Sequence, residues 1–175
     1  LRSDWSSDVC SSDLSKTSAA MPLLAEKSPA PEHFVAVETA GLIAGTRVMT
    51  IEGEVSVEDL APGARIISRD AGLVVLRGIE SGWTRLAPTA IKAGALGHTR
   101  PRRDMLVPPQ ALIHPRDWRA EVLIGSTYAL VPSKLMIDDD FVFRRSEERL
   151  KVFELMFDRQ HIIYADGIEI ATAAV

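Results

Sequence analysis

Gly41-Leu42-Ile43-Ala44-Gly45-Thr46-Arg47-Val48 decides the reading of this chain, and it runs on through Ile51-Glu52-Gly53 to Val57-Glu58-Asp59-Leu60-Ala61-Pro62-Gly63. Arg47 to Glu52 alternates polar and apolar residues and stops at Gly53, which predicts a half-buried strand and a turn. Ser56 has an acid three places on, Asp59, which predicts a single helical turn ended by Pro62-Gly63. Moving outward, Ala64–Arg69 reads as the next strand, and Asp70-Ala71-Gly72 as the turn into a strand from Leu73 to Glu80. Ile91–Gly97 is a weaker strand leading into a loop around Arg100–Asp104. Met105–Val107 is stopped by Pro108-Pro109, which cannot donate to a central ladder. Further short strands are expected at Ala120–Ile124, Thr127–Val131 and Phe141–Phe143. Between Leu150 and Ile170 the expectation is two strands flanking a hairpin turn at Asp166-Gly167. Turn signals every 8–12 residues or so mark an all-β domain.

Upstream the character differs. Residues 15–33, with Pro22, Pro29 and Pro31, read as a flexible lead-in, and the β domain is placed at 34–175. Residues 1–14, polar and serine-rich, resemble a conceptual translation of a sequencing adapter of the kind found in metagenomic reading frames, an artefact tail to be excluded from fold reasoning. On that reading the native start is Met21 and the lone Cys10 is no nucleophile. Whether the chain continues past Val175 is left open.

Of the 175 residues, 46% are hydrophobic and 25% charged, in keeping with one soluble globular domain that needs neither disulfides nor metals. A net charge of −4 argues against a nucleic-acid partner. Arg100, Arg102 and Arg103 form a basic cluster too short to track a phosphate backbone and are read as a solvated loop. No apolar run approaches the ~20 residues of a membrane span, and nothing near Met21 looks like a signal peptide, so the default location is cytoplasmic.

Four blocks, in order, resemble the Hint (hedgehog/intein) family. The opening run is similar to Cys-Phe-x-x-Gly-Thr, and Met105–Ala111 to Leu-Val-Ser-Pro-Gln-His. Leu130–Leu135 is similar to Val-Pro-Ala-Lys-x-Leu, and Phe157–Gly167 to Phe-Asp-Arg-His-Glu-Ile-Val-x-Ala-Asp-Gly. The resemblance implies an all-β horseshoe of short curved strands with at most one or two helical turns. It also implies protein autoprocessing, in which a thiol or hydroxyl attacks the preceding carbonyl, donors polarise that carbonyl, and a histidine moves the proton.

The chain departs from that pattern at each working position. Gly41 fills the nucleophile slot, Pro108 and Ala111 the serine and histidine slots, and Gln160 the later histidine slot. Thr39 carries a hydroxyl but is out of register, and the Thr46 hydroxyl is expected to bond local backbone. His161 adjoins Gln160, where neighbouring strand side chains face opposite ways. His114 is read as a loop histidine before a proline, His33 and His98 as solvent-facing; none has metal-ligand spacing, so no metal or cofactor is expected. Asp59, Asp70 and Asp166 are assigned to a cap and two turns, and Asp158 with Arg159 to a buried pair; Trp83 and Trp118 are placed in the core or at a cleft edge. The leading expectation is a degenerate Hint domain serving as a scaffold or interaction module beside other domains of a larger protein. The alternatives are a self-cleaving domain with a hydroxyl nucleophile and a β-rich ligand-binding domain.

Overall fold

The computed structural model describes residues 41–116, 118–126 and 129–173, all within the unit Val35–Val175. The readings of residues 1–33, and of Thr39, lie outside the described residues.

Short strands follow one another along the chain. They are β1 (Leu42–Ile43), β2 (Arg47–Thr50), β3 (Gly53–Ser56), β4 (Arg65–Ser68), β5 (Gly72–Val75), β6 (Gly78–Leu86) and β7 (Thr89–Ile91). Then come β8 (Met105–Val107), β9 (Leu112–Ile113), β10 (Val131–Pro132), β11 (Val142–Arg144), β12 (Glu148–Met156), β13 (Ile162–Ala165) and β14 (Ile168–Ala171). One sheet has the order β10-β9-β14-β13-β2-β4-β5, with β3 on β2; the others run β1-β12-β6 and β11-β7-β8. Their pairings are antiparallel, which short turns between consecutive strands allow. Val48, Ile66, Ile113, Val131, Ile163 and Ile170 are among the apolar residues of one buried cluster; β2, β4 and β13 bury every second side chain, while β14 is buried along its whole length. The fold is all-β.

Where sequence and structure differ, backbone hydrogen bonding gives the reason. The strand that begins at Arg47, β2, ends at Thr50 rather than Glu52, because the Thr50 hydroxyl donates to the Gly53 carbonyl at 2.9 Å and accepts the Glu52 N–H at 3.1 Å, closing a tight turn. The strand expected from Leu73 to Glu80 breaks at Leu76-Arg77, where the chain leaves one sheet for another: Leu76 N–H bonds Ala64 and Arg77 N–H bonds Met156. The strand expected over Ile91–Gly97 instead finishes at Ile91, and Gly94 and Gly97 take positive φ in the loop beyond. Trp118–Ile124 is a seven-residue α-helix, α1, where a strand was expected over Ala120–Ile124. A helix satisfies its own backbone without a neighbouring strand, and Gly125 (φ 76) caps it by donating to the Glu121 carbonyl at 2.8 Å. The expected Thr127–Val131 strand is reduced to β10, with Thr127 and Tyr128 outside the described residues.

Other readings hold. Val57–Asp59 is a single 3₁₀ turn, although the Ser56 hydroxyl bonds Glu58 rather than capping the turn. Asp166 and Gly167 have φ of 47° and 85°, the paired positive values of a tight hairpin turn. Trp83 and Trp118 are 61% and 65% exposed and so lie outside the core, and Trp83 lines a surface groove, the cleft-edge position expected of it. Among the described residues no helix is long and apolar enough to cross a membrane.

Candidate functional site

The Gly45-Thr46 turn is held from three sides. Thr46 Oγ1 donates to the Ile43 carbonyl at 2.7 Å, as its local-backbone role requires, and Gly45 N–H donates to Glu58 at 2.9 Å. Asp166, buried in the β13–β14 turn, exchanges hydrogen bonds with the Arg47 backbone. Arg103 links the two turns: its Nε lies 2.7 Å from Asp166 Oδ1 and its Nη2 donates to the Gly45 carbonyl. Arg102 pairs with Glu54 at 2.8 Å. The loop read as merely solvated is therefore a clamp, because two of its guanidiniums meet carboxylates that are distant in sequence. Beside this turn a cleft of about 390 Å³ runs over Ala90, Ile91 and Leu106, rimmed by Lys92, Arg103 and Arg145.

Gly41 lies away from that cleft, at the start of β1 and against β12. A Cβ built on it would overlap Val152 Cγ1 and stand 2.8 Å from the Phe153 carbonyl oxygen. Ala111 and His161, the neighbour of Gln160, flank the same residue, Thr172. Ile113 is opposite Ile170, so Ala111 falls opposite Thr172; Ile162 is opposite Ala171, so His161 falls opposite Thr172 from the other side. The His161 N–H donates to Thr172 Oγ1 at 3.1 Å, and Thr172 N–H to the His161 carbonyl at 2.8 Å. Leu42, next to Gly41, shares with Thr172 a space of about 10 Å³, room for roughly one water. Ala111 is fully buried, its carbonyl accepting the Ser133 N–H at 2.9 Å. Ser133, also buried, donates through Oγ to the Pro108 carbonyl at 2.7 Å and lies 3.1 Å from Thr89 Oγ1.

His161, not the half-buried Gln160, points inward. Its Nδ1 is 2.7 Å from Asp70 Oδ2, and the Phe157 ring meets its imidazole edge-on with centroids 5.7 Å apart. Asp70 also accepts the Ile162 N–H at 2.9 Å. Burial acts to raise the Asp70 pKa, but the Ile162 N–H and then His161 prevail and hold the carboxyl below its ordinary range. Such a pair fixes the imidazole orientation and its tautomer, the arrangement a proton-transfer group needs. Asp158 does not form the buried pair expected with Arg159. It is exposed and meets Arg77 at 2.7 Å, because the chain bends at Arg77 just where β12 ends.

Glu169 is missed by sequence reasoning. It is 1% exposed and gathers Arg69 at 3.3 Å, Arg116, and His114 Nδ1 at 3.2 Å; Arg116 also reaches the Tyr164 hydroxyl. His114, read as a plain loop histidine, is therefore buried against a carboxylate. Burial and then Arg69 push its pKa below the ordinary value, against the pull of Glu169. Glu169 and Arg69 are far from it in the sequence and leave no local signature. Among the described residues no group of three or more His, Cys, Asp or Glu is placed to hold a metal ion.

A family model described as the Hint domain matches residues 40–174. The chain belongs to the Hint-domain family. As a Hint domain it is related to the self-splicing modules of inteins, and solved structures share the fold. A DnaB intein from Synechocystis sp. PCC 6803 aligns at a TM-score of 0.51 with 12% identity, over 76% of this chain and 99% of that one. The Msm DnaB1 intein splicing domain, solved bound with zinc, aligns at 0.50 with 12% identity, over 75% and 98%. A search of curated proteins returned no match.

Proposed function

We propose that this Hint domain does not cut its own backbone and serves as a scaffold or interaction module beside other domains of a larger protein. The reading rests on Gly41. The acyl shift needs a nucleophilic side chain at that position, and here even a methyl group would overlap Val152 and crowd the Phe153 carbonyl. Supporting it, Pro108 and Ala111 supply no side-chain donor to polarise a scissile carbonyl, and the Ala111 N–H is bonded to the Pro108 carbonyl. The hydroxyls of Thr46 and Ser133 are buried and committed to backbone carbonyls.

One observation favours a second reading, self-cleavage through a hydroxyl: the Asp70–His161 pair holds an oriented imidazole of the kind that proton transfer uses. The test separates the two. The full chain, incubated with dithiothreitol or with hydroxylamine, is expected to keep its intact mass. A new terminus between Ala40 and Gly41, or next to Thr39, overturns the non-cutting reading, and hydroxylamine dependence would point to an ester.

A further inference from the structure

Strand β6 is the outermost strand of its sheet, and among the described residues it is bonded only to β12, along all nine of its residues. The register of that pair sets like charges directly opposite one another twice. Glu80 faces Glu154 on one side of the ribbon, and Arg85 faces Arg149 on the other. Like charges directly opposite in a sheet repel. Among the described residues no ion pair relieves Glu80, Glu154 or Arg85, and Arg149 leans over the exposed Trp83 ring at 5.2 Å. A long outer strand with unpaired backbone groups and an exposed aromatic is one on which another chain can add.

We infer that the free edge of β6 binds an extended peptide as an added antiparallel strand, with an acidic residue opposite Arg85 and a basic residue five places later opposite Glu80. The spacing follows from the register, since Arg85 and Glu80 are five residues apart and so lie on opposite faces of the strand. Antiparallel addition continues the pattern of the existing pairs in this domain. The acid would complete a row Arg149–Arg85–acid and the base a row Glu154–Glu80–base, so both repulsive pairs gain a counter-charge.

Shape adds a third requirement. On the Glu80 face a groove of about 340 Å³ is floored by Val152 and bordered by Gly41, Glu80, Gly82 and Glu154. A Cβ added at Gly82 would meet nothing within 4 Å. The peptide residue opposite Gly82, three places after the acid, therefore has room for a large apolar side chain. This surface gives the interaction-module reading a partner of defined chemistry and rests on that reading. It stands apart from whether the domain cuts: intact mass reads cutting, and peptide titration reads the edge.

The probe is the end-capped octapeptide Thr-Glu-Thr-Val-Leu-Thr-Lys-Thr, titrated into the isotope-labelled full chain and followed by amide chemical shifts. Saturable shifts centred on Glu80–Arg85 are expected. The peptide with Glu and Lys exchanged should bind at least about tenfold more weakly, the discrimination about 1.4 kcal/mol provides. The double variant Glu80→Arg/Arg85→Glu alters exposed residues, so unchanged amide dispersion will report that it folds, and it should invert the preference. Equal affinity for the two peptides, shifts centred elsewhere, no saturation, or an unchanged preference in the folded double variant overturns the proposal.

Discussion

His161 Nδ1 lies 2.7 Å from Asp70 Oδ2, joining two residues 91 apart in the chain and tying the β4–β5 turn to the start of β13. Because Asp70 also takes the Ile162 N–H, a single carboxylate sets both a side chain and the first residue of a strand.

Asp70→Ala is therefore expected to cost about 1–2 kcal/mol at neutral pH, two lost hydrogen bonds to a half-exposed carboxylate. The Asp70 pKa is lower folded than unfolded, so this contribution is present above the unfolded value of about 3.9 and is lost as pH falls through the folded one. Urea unfolding of both proteins at neutral pH and near pH 3 measures it. A gap between them that is no smaller in acid would contradict the assignment.

For His114 the sign runs the other way from that of a histidine that gains a proton. Its folded pKa lies below the ordinary 6.5, so its contribution is present above 6.5 and declines as pH falls from there towards the folded value, where the unfolded chain takes the proton first. Glu169, Arg69 and Arg116 are the charged groups that act on it. Melting temperature measured from about pH 7.5 down to pH 5 should drop less steeply in His114→Gln than in the parent chain. Parallel curves would remove His114 from the account.

Gly41→Ala tests the crowding directly. Overpacking of this kind costs about 1–3 kcal/mol, and adding Val152→Ala should recover only part of it, because the Phe153 carbonyl remains 2.8 Å from the new Cβ. Denaturant midpoints of the two variants decide this. A Gly41→Ala protein as stable as the parent means that the strand shifts freely, and with it goes the steric argument against a nucleophile at this place.

The all-β class and the Asp166-Gly167 hairpin could be read from the chain because period-two alternation and paired positive-φ residues are local properties. The Thr46 hydroxyl was legible for the same reason, its acceptor being three residues away. Misreadings fell where a local pattern was ambiguous or a partner distant. Val122-Leu123-Ile124 suits a strand by composition, yet the backbone closes on itself as α1, ended by the Gly125 N–H on the Glu121 carbonyl. Asp158 found Arg77 across 81 residues rather than its neighbour Arg159.

Gly41, Pro108, Ala111 and Gln160 are facts of the amino-acid order, and so is the family. Whether Gly41 could be refilled, which histidine turns inward, and that Glu169 lies buried among cations depend on strand register. Register joins residues far apart in the chain through hydrogen bonds and excluded volume, and neither is encoded at the position it constrains.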